Sequence, residues 1–321
     1  MLMNSSKMLF MFMMMISTTM MISSSNFLFS WISMEINLIS FLPLITKSKK
    51  TKDQPMKYFI IQSMSSSTML MSVLINSKIE SPINLSIMLM MSMLMKMGMV
   101  PFHLWVPSML YTMSWENCMM FLTWQKITPM IMVSQMISMK EMILPMTFSL
   151  IIGPMSMMKT LSTKKILAFS SISNSPWMIA SMMMSKMMFM MNFLIYSTMN
   201  IIMIMNFKNT NINFINQMNN KNKINKMSII MNILSMMGFP PTMGFFMKWM
   251  ILQKMMEFSK MMSMFMMFSS IISSFIYMNM IIPSLTISNQ KKKNYKSKNK
   301  LSNDLMINMV SISVLMMLKP N

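Results

Sequence analysis

Long apolar runs separated by short clusters of lysine, asparagine and proline organise this chain from one end to the other. A helix rising 1.5 Å per residue needs about 20 apolar residues to cross the hydrocarbon core of a bilayer. Cutting the sequence at its charge clusters and polar gaps predicts eleven such spans: residues 8–25, 27–46, 56–76, 83–110, 117–138, 142–158, 166–184, 187–206, 227–256, 261–283 and 305–318. The expected fold class is therefore all-α, a polytopic membrane protein of about 11 transmembrane helices. The first run lacks a small-residue cleavage pattern and is read as a membrane helix rather than a signal peptide.

Two of the spans are long and interrupted. Residues 83–110 contain Lys96-Met-Gly98-Met-Val-Pro101, and residues 227–256 contain Gly238-Phe-Pro240-Pro241-Thr-Met-Gly244. Glycine frees the backbone and proline removes a helical donor, so both segments predict helix breaks. The two breaks lie five spans apart, an odd number, and so point in opposite directions, as in halves related by an inverted repeat. The expected organisation is one membrane domain over 1–321, with five-helix halves 1–138 and 142–283 and a C-terminal helix 305–318.

Composition refines this picture. Of 321 residues 54% are hydrophobic and only 11% charged, well below the usual quarter, so most of the chain belongs in lipid. Methionine occurs 66 times against four glycines, two alanines and no arginine. No demand of folding explains that bias. Loss of GC-rich codons, with AUA read as methionine, does, and it points to a mitochondrial genome. Flexible thioethers pack almost anywhere, so a methionine stripe here is core or lipid face rather than a copper site.

The net charge of +21 would suggest nucleic acid in a soluble protein, but here it reads as topology. Alternating the loops places 19 lysines on one face, at Lys7, Lys47–Lys57, Lys159–Lys165, Lys208–Lys226 and Lys291–Lys300. The other face carries six: Lys78, Lys140, Lys186, Lys254, Lys260 and Lys319. The positive-inside bias then puts the N-terminus in the matrix, with no nucleic-acid partner expected. One cysteine, Cys118, and one histidine, His103, are too few for a disulfide, a thiolate metal site or a haem, so no metal or redox cofactor is expected in this chain.

Four charges remain inside the predicted spans. Glu35 is near the middle of the second span, where an unpartnered carboxylate costs several kcal/mol, about 3 or more. Lys96 and Lys126 lie roughly 20 and 14 Å into theirs, and Lys248 accompanies the second break. A lysine beside a movable carboxylate can alternately hold and release a proton, which is what a carrier needs. The competing reading is that such lysines snorkel to the headgroups or that one Glu–Lys pair pins helices together. His103 is either a proton relay or an anchor at the helix end beside Trp105. Glu80, Glu116, Glu141, Glu257, Asp53 and Asp304 sit at span ends or in lysine-bearing loops, as ordinary solvated charge does.

Lys96-Met-Gly-Met-Val-Pro-Phe-His-Leu-Trp-Val-Pro107 resembles the Lys-x-Gly-x-x-Pro-Phe-His-x-Trp-x-Pro signature of the second antiporter-like membrane-subunit family of mitochondrial complex I. Thr123-Trp-Gln-Lys-Ile-Thr-Pro129 and Gly238-Phe-Pro-Pro-Thr-Met-Gly-Phe-Phe-Met-Lys-Trp249 resemble the family's next motifs, in order. Ala168-Phe-Ser-Ser-Ile-Ser-Asn-Ser-Pro-Trp-Met178 is a weaker match. The resemblance implies a proton-translocating subunit of NADH:ubiquinone oxidoreductase in the inner mitochondrial membrane, related to cation/proton antiporters. It implies Glu35, Lys96, Lys126 and Lys248 as proton-transfer residues, and neighbouring membrane-arm subunits, cardiolipin, protons and water as partners. FMN, iron–sulfur clusters and ubiquinone would belong to other subunits. Animal members resemble bacterial ones shortened by three N-terminal helices. Ser108 stands where the family often has glutamate and Asn174 where it has histidine, so relays through those positions are not expected. The alternatives are a free-standing cation/proton antiporter and a structural or assembly subunit.

Overall fold

The computed structural model describes residues 5–46, 53–76, 83–136, 139–220 and 223–286. The expected helix 305–318, the Lys291–Lys300 loop, Lys47–Lys52, Lys78, Glu80, Asp304 and Lys319 lie outside the described residues. Helices account for nearly all of the rest: α1 (Ser5–Ser23), α2 (Phe27–Thr46), α3 (Asp53–Asn76), α4 (Ile83–Met97), α5 (Trp105–Thr112), α6 (Trp115–Leu122), α7 (Ile127–Met136), α8 (Met139–Met158), α9 (Thr163–Met184), α10 (Lys186–Thr210), α11 (Lys223–Met237), α12 (Met243–Phe258) and α13 (Lys260–Thr286). Short 3₁₀ turns occupy Trp124–Lys126 and Ile215–Asn220, and no β-strand occurs among the described residues.

Six of these helices, α1, α2, α3, α8, α10 and α13, are long and apolar enough to cross a membrane. At 22 residues α9 is long enough, but Ser170, Ser171, Ser173, Ser175 and Ser181 are buried on it and lower its hydropathy. Those hydroxyls donate to carbonyls three residues back, at 2.6–2.9 Å, which is how a helix carries buried serine without unsatisfied donors. The other predicted spans resolve into shorter helices. Span 83–110 becomes α4 and α5, and 227–256 becomes α11 and α12.

Residues 117–138, expected as one continuous helix, are also interrupted: α6 ends at Leu122, a 3₁₀ turn carries Trp124–Lys126, and α7 begins at Ile127. Pro129 has no N–H for the Gln125 carbonyl, and its ring crowds that carbonyl, so the α-helical ladder lapses there. A 3₁₀ turn is the usual form of such a junction.

The chain divides into two compact units, Met1–Ser149 and Leu150–Asn321. In the first, α1, α2, α3, α4 and α7 pack around Met14, Met21, Phe41, Met69, Met93, Leu94 and Met99, all fully buried. Phe41, Tyr58, Trp105 and Phe121 form an aromatic cluster with ring centroids 5.5–6.3 Å apart, tying α2, α3, α5 and α6 together. In the second unit α9 is the most enclosed helix, packed by α10, α12 and α13. Large apolar side chains stay exposed on the outer faces of both units, among them Phe12, Ile39 and Ile60 in the first and Leu194, Phe268 and Ile271 in the second. A lipid environment accounts for them.

Candidate functional site

The two glycine-bearing interruptions stop their helices by the same device. Gly98 adopts a left-handed conformation, φ 68°, with Gly98 N–H donating to Met95 O (3.3 Å) and Met99 N–H to Leu94 O (3.0 Å). Gly238, φ 79°, repeats the pair, with Gly238 N–H to Ser235 O and Phe239 N–H to Leu234 O, each 3.2 Å. These are Schellman closures, which satisfy the last carbonyls of a helix and turn the chain aside. Lysine follows from this geometry: Lys96 sits in the last turn of α4, and Lys248 lies one helical stretch beyond the second closure.

In the first unit, Lys96 and Lys126 line one cavity of about 30 Å³, together with Met34, Asn37, Tyr58, Gln62, Gln125 and Thr128. That volume has room for about two water molecules. Lys126 is 6% exposed and sits at the end of the 3₁₀ turn. Lys96 Nζ donates to Met34 Sδ at 3.3 Å, and its backbone carbonyl accepts from Gln62 Nε2 at 3.4 Å. Glu35, next to Met34 on α2, lies close enough for its charge to act on Lys96 but outside direct ion-pair contact. Its Oε1 is buried without a hydrogen-bond partner. The carboxylate and both lysines are thus gathered in one unit, with the lysines rather than the carboxylate facing the cavity.

Five residues that the charge-based reading passed over complete this site: Asn37, Tyr58, Gln62, Gln125 and Thr128. Tyr58 Oη donates to Gln125 Oε1 (3.3 Å), Gln125 Nε2 to Asn37 Oδ1 (3.1 Å), and Asn37 Nδ2 to Thr128 Oγ1 (3.0 Å). Carboxamides inside apolar spans were the available signal, since a buried amide needs partners as a charge does. His103 does not reach this cavity. Its Nδ1 is 3.3 Å from Pro101 O in the connection between α4 and α5. Ser108 donates to Trp105 O at 2.8 Å.

In the second unit, Lys248 Nζ donates to Met237 O (3.0 Å) and Met236 O (3.3 Å), the open carbonyls at the end of α11, and stands 5.9 Å from the Trp177 ring centroid. The ammonium therefore caps a helix C-terminus, where the dipole favours a cation, instead of snorkelling to a surface. It lines a cavity of about 50 Å³ with Asn174, Trp177, Asn192, Tyr196 and Ser235. Glycine suits position 238 because the backbone there is left-handed; a side chain would also meet Lys248 Cδ at 3.1 Å and oblige the lysine chain to shift by a few tenths of an ångström. In the loop that follows, Thr242 Oγ1 donates to Phe239 O at 2.7 Å, bracing Pro240 and Pro241.

Residues 24–276 match the family described as NADH:quinone oxidoreductase/Mrp antiporter, transmembrane. NADH-ubiquinone oxidoreductase chain 2 of Locusta migratoria is 39% identical over 270 residues, covering 79% of this chain and 78% of its own length. The protein of that name from Anopheles gambiae is 30% identical and covers 97% of this chain and 96% of its own. A chain of respiratory complex I from Thermus thermophilus, solved with bound aureothin, is similar in fold at a TM-score of 0.82 and 14% identity, over 98% of this chain and 78% of that one.

Proposed function

Because the chain belongs to the NADH:quinone oxidoreductase/Mrp antiporter family, we propose that it is a proton-translocating membrane-arm subunit of mitochondrial NADH:ubiquinone oxidoreductase. The observation that carries this reading is the cavity shared by Lys96 and Lys126, with Glu35 beside Lys96. Each interrupted pair, α4 with α5, α6 with α7, and α11 with α12, forms one membrane crossing whose break opens toward a polar interior, the arrangement in which irregular backbone is tolerated at membrane depth. With the six long helices and α9, this gives ten crossings among the described residues, and the apolar run 305–318 is expected from the sequence alone to supply the eleventh.

Two ammonium groups facing one small cavity disfavour each other, so a proton on one lowers the tendency of the other to hold its own. In this reading Glu35 sets the direction. While its carboxylate is charged and near, Lys96 keeps its proton. When Glu35 is neutralised or drawn away, Lys96 releases the proton into the cavity, and Lys126 accepts it. At an effective dielectric near 20 the attraction between unit charges falls from about 4 kcal/mol at 4 Å to about 2 at 8 Å, so moving Glu35 a few ångströms changes its pull on Lys96 by on the order of 1–2 kcal/mol. That is enough to bias where one proton resides. Lys248, held on the α11 carbonyls, serves the second unit in the same capacity. Electron-carrying cofactors reside in other subunits, and Cys118, buried with its thiol donating to Leu110 O, packs as an apolar residue.

Replacing Glu35 by glutamine keeps the shape and removes the charge that acts on Lys96. Proton translocation per NADH oxidised is expected to fall by about tenfold in closed vesicles, a change of roughly 1.4 kcal/mol. Unchanged coupling in an assembled Glu35→Gln complex rejects the switch. The lysine asymmetry further supports a matrix-facing N-terminus in the inner mitochondrial membrane. A protease added to intact mitoplasts should leave the lysine-rich 159–165 connection uncut, and cleavage there from the outer side would reverse the orientation.

A further inference from the structure

Asn37, 3% exposed, follows Glu35 by two residues on α2. Its carboxamide grips the chain on both sides of Lys126, accepting from Gln125 Nε2 and donating to Thr128 Oγ1. Partners 88 and 91 residues away are thereby tied to one side chain. Tyr58 fixes the sense of the chain: its hydroxyl donates to Gln125 Oε1, which turns the Gln125 nitrogen toward Asn37 Oδ1 and leaves the Asn37 nitrogen for Thr128.

The grip falls where the backbone is least able to hold itself. Pro129 leaves the Gln125 carbonyl without its helical donor. The three-residue 3₁₀ turn Trp124–Lys126 has poorer hydrogen-bond geometry than an α-helix. The bonds from Asn37 add a hold from another helix to the turn's own Lys126 N–H to Thr123 O bond of 3.3 Å, and so help to set which way Lys126 faces. Residues two apart on a helix point roughly 200° apart at about 100° per residue. A single stretch of α2 can therefore act on Lys96 through Glu35 and on Lys126 through Asn37.

We infer that Asn37 is a positioning residue for proton transfer. It clamps the Lys126 turn so that the lysine faces the shared cavity, and it links the placement of Lys126 to the helix that bears Glu35. The inference rests on the reading of Lys126 as a carrier. Any movement of α2 that shifts Glu35 also pulls on the Lys126 turn, so the two lysines respond to one helix.

The test is a mutant cycle in the assembled complex in closed vesicles, reading protons moved per NADH oxidised. Poor packing alone lowers the amount of complex and both rates together, so this ratio isolates positioning. Asn37→Leu keeps the branched shape, at a larger volume, and removes both bonds, and is expected to lower the ratio about tenfold. Thr128→Val removes one bond and should lower it about threefold. The double variant should be no worse than Asn37→Leu, because both act through one hold on the turn. Independent, multiplying losses overturn the clamp, as does a normal ratio in Asn37→Leu. Should Asn37→Leu fail to accumulate, Thr128→Val decides alone: a reduced ratio supports the clamp and a normal one overturns it. Lys126→Met, run beside them, separates the two levels. Normal pumping by that variant removes the carrier reading and the clamp with it. Impaired pumping by it, with a normal ratio in Asn37→Leu, removes the clamp only.

Discussion

Lys126→Met is expected to cut proton translocation coupled to NADH oxidation by at least tenfold, roughly 1.4 kcal/mol or more, while the complex still assembles. Methionine has nearly the length of lysine and keeps the turn filled, but carries neither charge nor donor. Lys126 is enclosed between the 3₁₀ turn and the cavity it shares with Lys96. Removing a buried charge relieves desolvation, so the substitution need not destabilise the fold. Transfer from Lys96 then has no acceptor across the cavity. The measurement is acidification or alkalinisation in sealed vesicles set against NADH consumption, with assembly scored on the native complex. A fully assembled variant that pumps normally would leave Lys126 as a structural pin.

The largest effect on stability is expected from Gly244→Ala. In an ordinary helix interior this exchange gains about 1 kcal/mol. Here a Cβ on Gly244 would overlap the Ser235 carbonyl oxygen of α11, an atom of the backbone that cannot rotate aside. The two helices would have to separate, at a cost of about 2–3 kcal/mol. Separation would also draw Lys248 from the Met236 and Met237 carbonyls, leaving those acceptors open. Expected results are a lower thermal midpoint and reduced abundance of the assembled complex. A variant that melts and assembles as the parent does would show that α11 and α12 are not in that close approach.

Much of the candidate site was legible before any tertiary structure. Glu35, Lys96, Lys126 and Lys248 stand out because ionisable groups are rare in apolar runs, and a rare costly residue is visible one position at a time. Gly98 and Gly238 announce themselves in the same local way. Both prove to be left-handed helix closures, since a Schellman turn depends on only a few consecutive residues. The interruption before Lys126 was missed, although Pro129 lay in view. A proline near a helix start is common and harmless, and whether it breaks a crossing depends on what precedes it.

The sequence by itself determined an all-helical membrane chain, the two glycine-bearing helix breaks and the ionisable groups that fall within apolar runs, because hydropathy, proline and glycine act on the residues nearest to them. Only the tertiary structure decided which polar groups meet. The hydrogen bonds of Asn37 to Gln125 and Thr128 join residues 88 and 91 positions apart, and Lys248 finds its carbonyls on another helix. His103, a candidate by residue type, was left outside the cavity by the same packing. With 66 methionines spread over every face, the pattern of apolar residues hardly distinguishes core from lipid side. Side chains that adapt to either environment carry no record of which one they occupy, so the inward direction of each helix was set by packing alone.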